Sequence, residues 1–335
     1  MKLLVCGGAG FIGSNFIHYV LAKYDDMQVV NFDKLTYAGN PDNVRAAESN
    51  SRYVFEHGDI CDFERLDEVV QKHGITHIIN FAAETHNDRS VHDGARTFVM
   101  TNVLGVQTIL DIVRSRELEK FVQVSTDEVY GSLELDEPTK FTEDTPIAPN
   151  IPYAAAKAGG DLMCKAAFHT FGTPVIVSHC TNNYGPYQFP EKLIPYFISL
   201  ALDDKPLPLY GDGKNVRDWI FVLDHCQALD LMLQKGVVGE VYNSAGGNEK
   251  SNIEIARLLL GIMNKPDDMI EYVTDRPGHD RRYAMDPTKV SRELGWNPDH
   301  TFEQALPKTV EWYLGNRPWV DGIKRRVLDI NAHIR

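Results

Sequence analysis

A chain of 335 residues, 43% hydrophobic and 24% charged, can bury a large core as one large domain or two smaller ones. A net charge of −13 and a pI near 5.4 exclude non-specific nucleic-acid binding, though not a local Arg or His cluster that holds an anion. No apolar run approaches about 20 residues, so no membrane-spanning helix is expected.

The chain opens directly on Leu3 to Cys6, which reads as a buried strand with no signal peptide before it. Ser14 to Lys23 follows with helical spacing, placing Phe16, Ile17, Val20 and Leu21 on one side. Strands are then expected over Gln28 to Phe32, Ile75 to Ala82, Phe121 to Ser125 and Pro174 to Ser178, with a helix near Thr101 to Arg114. Strands alternating with helices indicate an α/β fold, a doubly wound parallel sheet of Rossmann type. From Tyr184 onward prolines and glycines thicken, and a helix follows around Ile253 to Met263. The expected organisation is a dinucleotide-binding domain over 1–180, rejoined by about 217–235, and a smaller, mixed C-terminal substrate domain over 181–335, discontinuous. The five cysteines (Cys6, Cys61, Cys164, Cys180, Cys226) are scattered and form no C-x-x-C pair. Free thiols in a reducing cytoplasm are expected, with no metal site.

Gly7-x-x-Gly10-x-x-Gly13 lies between the first strand and the first helix. These glycines permit a tight turn and close backbone approach to a pyrophosphate, which the helix N-terminus attracts. Asp33 ends the second strand, twenty residues after Gly13. There a carboxylate accepts both ribose hydroxyls and repels a 2′-phosphate, favouring NAD over NADP, although neighbouring Lys34 could meet a phosphate. Asp59 and Ile60, after the next strand-like segment, are candidates to line the adenine.

Tyr153 and Lys157 are four residues apart, hence on one helix face. An ammonium and a cationic nicotinamide beside the phenol are expected to lower its pKa and make it a base for a substrate hydroxyl. Thr126, Asp127 and Glu128 stand at a strand end. In a continuing strand the two acids point to opposite faces, so both serve one substrate only where the backbone turns. Oxidation at carbon 4 of a hexose acidifies the proton on carbon 5. One carboxylate can remove it while a neutral carboxylic acid protonates the departing 6-hydroxyl. The pattern alone equally allows two solvated loop acids.

Several segments together resemble one family. They are Gly7 to Gly13, Ser125 to Gly131, Tyr153-x-x-x-Lys157, Asn182 to Pro186, Pro190 to Pro195, Gly211 to Gly213 with Val216 to Trp219, and Asp275 to Tyr283. The chain is similar, from residue 1 to about 315, to the dTDP-glucose 4,6-dehydratases of the extended short-chain dehydrogenase/reductase superfamily. The resemblance implies that Thr126 and Tyr153 meet the 4-hydroxyl, Tyr153 as base with Lys157 supporting it. Asp127 is then the acid for the 6-hydroxyl and Glu128 the base at carbon 5. It implies NAD held by Gly7, Gly10, Phe11, Ile12, Gly13, Asp33, Lys34, Thr36, Asp59, Ile60, Ala82, Ala83, Thr101, Tyr153, Lys157 and Asn183. The nucleotide-diphospho-sugar falls to His86, Asn182, Glu191, Lys192, Leu193, Tyr210, Arg217, Asn252, Arg276 and His279. A homodimer is implied through the helices near Thr101 to Arg114 and Tyr153 to Thr170.

Cys6 and Asn87 depart from the family pattern, which has threonine and an apolar residue there. The polar Asn87, near the expected substrate, leaves a UDP-sugar open. A nucleotide-sugar 4-epimerase would use Thr126, Tyr153 and Lys157 without Asp127 and Glu128; a decarboxylating sugar-acid enzyme is more distant. An NAD-sensing regulatory protein is the non-enzyme alternative. The segment from Gly322 to Arg335, with Lys324, Arg325 and Arg326, carries no interpretable motif.

Overall fold

The computed structural model describes residues 1–275 and 277–330, with side chains through 324. In chain order the first elements are β1 (Lys2–Cys6), α1 (Phe11–Lys23), β2 (Gln28–Asp33), β3 (Tyr53–His57), α2 (Phe63–His73) and β4 (His77–Asn80). Then come α3 (Asn87–His92), α4 (Arg96–Val99), α5 (Val106–Ser115), β5 (Lys120–Val124), α6 (Pro152–Phe171) and β6 (Val175–Cys180). The second half holds β7 (Asn182–Tyr184), α7 (Leu193–Leu202), β8 (Leu207–Tyr210), β9 (Val216–Phe221), α8 (Val222–Lys235), β10 (Val241–Ser244) and β11 (Glu249–Ser251). It ends with α9 (Asn252–Ile262), β12 (Ile270–Val273), α10 (Thr288–Leu294), α11 (Phe302–Gly315) and α12 (Arg317–Ile330).

Seven strands form one parallel sheet in the order β10-β6-β5-β4-β1-β2-β3. The strands are buried on both faces because alternate side chains feed two cores. Leu3 and Val5 of β1 join Phe16, Ile17 and Val20 of α1 and Leu229 of α8. Leu4 and Cys6 join Val69 of α2, Ile109 of α5 and Cys164 of α6 on the other face. The connection reverses direction between β1 and β4, and such a switch point opens a crevice at the carboxyl ends of the strands. Beyond that end lie a mixed sheet, β11-β9-β7, and the parallel pair β12-β8.

Several boundaries differ from the sequence reading. Helix α1 starts at Phe11 rather than Ser14, because Gly10 caps it with backbone alone and no capping side chain announces the start. The strand expected over Ile75 to Ala82 contracts to β4, His77–Asn80. The helix expected from Thr101 begins with a π-helical turn, Met100–Gly105, before α5. That turn aims Asn102 at Glu84, whose backbone N–H and C=O it both engages at 3.0 Å. It also sits hard against α6, where a Cβ on Gly160 would lie 2.4 Å from the Asn102 carbonyl oxygen. No helix of the described residues is long and apolar enough to cross a membrane.

Candidate active site

A cavity of about 380 Å³ opens at the carboxyl ends of β1, β5 and β6 and runs under β8 and β9. Its inner end is the glycine turn. Gly7 has φ +76°, and a Cβ there would meet the Ala82 nitrogen at 2.5 Å; one on Gly13 would meet the Gly7 carbonyl at 2.4 Å. Only hydrogen fits at either position. Gly7, Gly10, Phe11, Ile12 and Gly13 line the cavity, and α1 has neither a capping side chain nor an acid in its first turn. Its open amides and dipole therefore face the cavity, which suits a pyrophosphate.

Asp33 is buried at the end of β2, where its two carboxylate oxygens accept from Ala9 N (2.9 Å) and Leu35 N (2.7 Å). Burial raises its pKa against those two donors. The residue thus braces the glycine turn, and each oxygen keeps a lone pair for a hydroxyl. Lys34 is held by Asp59 at 2.6 Å. Ile60 is buried close to Gly105, Thr36 is exposed, Ala82 abuts Gly7, and Thr101 is half-buried in the π-helical turn. Asp33, Lys34, Thr36, Asp59, Ile60, Ala82 and Thr101 surround the strand ends but do not line the cavity, whereas Ala83 and Asn183 do.

The acids lie where β5 ends. Thr126 caps a 3₁₀ turn, Asp127–Tyr130, accepting from Glu128 N (3.3 Å) and donating to Asp127 Oδ1 (3.1 Å). This turn brings both carboxylates to one cavity, which a continuing strand could not do. Asp127 is fully buried and its Oδ2 has no partner. Burial, then the neighbouring Glu128 charge, hold its pKa well above the usual carboxylate range; Arg217 opposes this. Burial therefore favours its neutral form, which can donate a proton. Glu128 accepts from Asn87 Nδ2 at 3.0 and 3.2 Å through its two oxygens.

Tyr153 and Lys157 rise from the start of α6, whose first residue is Pro152. Lys157 is buried and its Nζ donates to the Val124 carbonyl at 2.7 Å. Burial lowers its pKa, opposed by Asp161. Burial, then the charge of Glu128, raises the Tyr153 pKa well above its ordinary value, where the Lys157 ammonium is expected to lower it. The Lys157 ammonium is turned to a backbone carbonyl, which leaves burial and Glu128 to hold the phenol neutral.

Behind these groups runs a buried chain that the sequence reading missed. Ser125 Oγ donates to Asp161 Oδ2 (2.6 Å), His179 bridges Asp161 (3.2 Å) and the Tyr130 hydroxyl (2.6 Å), and Tyr130 donates to Asn243 (2.9 Å). Asp161 lies four residues after Lys157, a spacing that places it on the same helix face and could have revealed it.

The outer wall carries His86, Asn182, Glu191, Lys192, Leu193, Tyr210, Arg217, Asn252 and His279 together. Arg217 donates to the Val216 and Asp280 carbonyls (2.8 and 3.0 Å) and stacks 4.2 Å from the Tyr283 ring centre. Asp218 is not its partner, since it accepts from Gly247 and Asn248 N. Lys192 Nζ donates to the Thr85 carbonyl (2.7 Å), and His279 meets Asp275 (2.6 Å). The Asn182 Oδ1 is buried without a partner. Burial pushes Glu191 up to about 7. Arg276 lies outside the described residues. Trp219 and Tyr283 also line the wall and carried no separate signal in the sequence. An open hollow at the opposite strand ends, around Met1, His77 and Lys120, shares none of these groups.

The family model described as GDP-mannose 4,6 dehydratase matches residues 4–309. A dTDP-glucose 4,6-dehydratase of Xanthomonas campestris pv. campestris is 49% identical, over 96% of this chain and 95% of its own. The crystal structure of dTDP-glucose 4,6-dehydratase from Bacillus anthracis in complex with NAD is 49% identical with TM-score 0.90, covering 96% of this chain and 99% of that one. The enzyme of the same name from Streptomyces venezuelae, solved with NAD and dTDP bound, is 45% identical with TM-score 0.93, over 96% and 100%. A UDP-glucuronic acid 4-epimerase from Bacillus cereus shares the fold at TM-score 0.87 but only 28% identity, over 94% and 99%. The Thr126-Asp127-Glu128 turn beside Tyr153 and Lys157 thus sits in a chain that matches one group of relatives end to end, and this chain belongs to the dTDP-glucose 4,6-dehydratase family.

Proposed function

We propose that this protein converts dTDP-glucose to dTDP-4-keto-6-deoxyglucose and water. The observation that carries the reading is the 3₁₀ turn from which Asp127 and Glu128 reach the same cavity as Tyr153. The open amides of α1 and the glycine cradle suit NAD, with Asp33 supplying acceptors for the ribose hydroxyls. NAD, when bound, supplies the acceptor for hydride from carbon 4 and its later donor to carbon 6. Tyr153 takes the proton of the 4-hydroxyl, to which Thr126 also hydrogen-bonds. Lys157, anchored on β5, keeps positive charge beneath that pair. Glu128 removes the proton from carbon 5. Asp127, neutral through burial, protonates the 6-hydroxyl, which leaves as water. Arg217, Lys192, Asn182, Asn252, Arg276 and His279 hold the nucleoside diphosphate, with Arg217 the fork for phosphate oxygens. His86, Glu191, Leu193 and Tyr210 complete that wall.

Incubating the purified protein with dTDP-glucose and its UDP counterpart tests this, scored by mass for loss of water. Dehydration of dTDP-glucose is expected; recovery of an isomer of unchanged mass would support the epimerase. We divide the chain into a Rossmann-type part, 1–180 rejoined after about 217, and a discontinuous substrate part. Exposed Val99, Met100 and Leu104, with Leu162 of α6, support a homodimer through these helices. Five unpaired cysteines fit a cytoplasmic location.

A further inference from the structure

We infer that Asn87 is a positioning residue for Glu128, holding that carboxylate aimed for proton removal at carbon 5; the inference rests on the dehydratase reading. Asn87 Nδ2 lies 3.0 and 3.2 Å from the two Glu128 oxygens. The donors of this amide are thus committed to one acid, 41 residues away in sequence. The Asn87 Oδ1 is buried and has no partner. Turning the amide over would set that oxygen against a carboxylate, so only one orientation is tolerable. The orphaned oxygen is unfavourable by itself. The side chain's orientation is therefore set by its bond to Glu128.

Both ends of the contact are tied into local structure by hydrogen bonds. Asn87 is the first residue of α3, capped by His86 Nδ1, which accepts from Arg89 N (3.3 Å). The Asn87 carbonyl accepts from Ser90 Oγ (2.6 Å). Glu128 is fixed through its N–H by Thr126. Hydrogen bonds to a carboxylate favour the charged form and fix its direction. When Glu128 takes the carbon-5 proton, the amide loses a charge-assisted partner. The other titratable groups facing Glu128 are Asp127 on its own turn, Tyr153 on α6, and Tyr283 with Arg217 stacked on it. His86, which caps α3, and Asp88 flank Asn87.

Three variants test the inference. Asn87→Ala removes the donors, Asn87→Ser keeps one, and Asn87→Asp sets a second carboxylate at equal size. The wild type must first dehydrate dTDP-glucose; its failure would sink the dehydratase reading and leave a different fault from any below. Loss of alignment should lower kcat about 10- to 100-fold in Asn87→Ala with KM little changed. The loss should be larger in Asn87→Asp and partly recovered in Asn87→Ser. In Asn87→Asp the acid limb of the rate profile should move up by about one pH unit or more, because two adjacent carboxylates share a proton. A readout without cofactor or substrate is the carboxyl carbon resonance of Glu128, assigned by its disappearance in Glu128→Gln. Its chemical shift should move in Asn87→Ala, where the carboxylate has lost the donors that Asn87 supplies. A wild-type rate in Asn87→Ala, or a slower Asn87→Asp with unchanged pH profile and a Glu128 resonance unmoved in Asn87→Ala, would make Asn87 a structural residue of α3 and overturn the inference.

Discussion

Lys157 ties its ammonium to the carbonyl of Val124 at 2.7 Å, joining the second turn of α6 to the last residue of β5. That bond holds the helix bearing Tyr153 against the strand end from which Thr126, Asp127 and Glu128 emerge. The ammonium is thereby fixed in a buried position, where burial lowers its pKa against the pull of Asp161.

The phenol of Tyr153 is held protonated by burial and by the Glu128 charge. Glu128→Gln removes that charge and should lower the pH at which Tyr153 ionises. Added NAD, which brings positive charge, should lower it further. Phenolate absorbance, taken as the difference from Tyr153→Phe, reads both effects. An ionisation unmoved by either change would remove the electrostatic account of this base.

Glu128→Gln should keep the fold and slow elimination by about 100-fold or more, the scale of a general base. Asp127→Asn should slow departure of the 6-hydroxyl, less severely where water can protonate it. Stability separates the two acids. The folded-state pKa of Asp127 is raised above its unfolded value of about 4. Its stability contribution is therefore fully present below that pH and is lost as pH rises through the folded value. Asp127→Asn does not titrate, so its melting temperature should gain on the wild type as pH increases from about 4 upward. A difference that stayed constant with pH would mean that Asp127 is not buried as a neutral acid.

Cofactor choice rests on Asp33 and on the ion pair beside it. Asp33→Asn retains an acceptor for the glycine turn while removing the charge that repels a 2′-phosphate. Lys34 is occupied by Asp59, so Asp59→Ala should free it to meet that phosphate. The double variant should narrow the preference for NAD over NADP by roughly tenfold or more, as expected for a new charge-assisted contact. Titration of the apo-protein with each dinucleotide measures it. Equal wild-type affinity for the two would end the argument.

What could be read from the sequence was local. The glycine turn, Tyr153 with Lys157, and the Thr126-Asp127-Glu128 run each lie within one turn or one helix, and their spacing survives folding unchanged. Contacts between distant segments could not be read this way. Asp161, His179 and Tyr130 meet across a sheet and a helix, and Asn87 reaches Glu128 from a separate loop-helix. The π-helical turn at Met100–Gly105 exists because Asn102 must face Glu84 and α6 must approach closely, and neither demand leaves a periodic trace. The four-residue β10 gains its place by pairing with β6, not by its own pattern.

The two pairs of side chains predict that no net oxidation occurs. Tyr153 and Thr126 serve the 4-hydroxyl, so hydrogen must leave carbon 4 as hydride. Glu128 and Asp127 serve carbons 5 and 6, so water must leave across them. The unsaturated ketone that results is a good hydride acceptor at carbon 6, and it is formed within the same cavity, beneath β8 and β9. A substrate with deuterium at carbon 4 should therefore place the label in the new methyl group of the product. The proton at carbon 5 should come from solvent, because Glu128 is half-exposed and exchanges what it removes. In Glu128→Gln the label should instead stay out of the methyl group while carbon 4 is still oxidised. Deuterium recovered at carbon 4 of an intact hexose would point to epimerisation. Its stoichiometric loss to free reduced cofactor would point to an ordinary dehydrogenase, and either result would remove the role proposed for the Asp127–Glu128 pair.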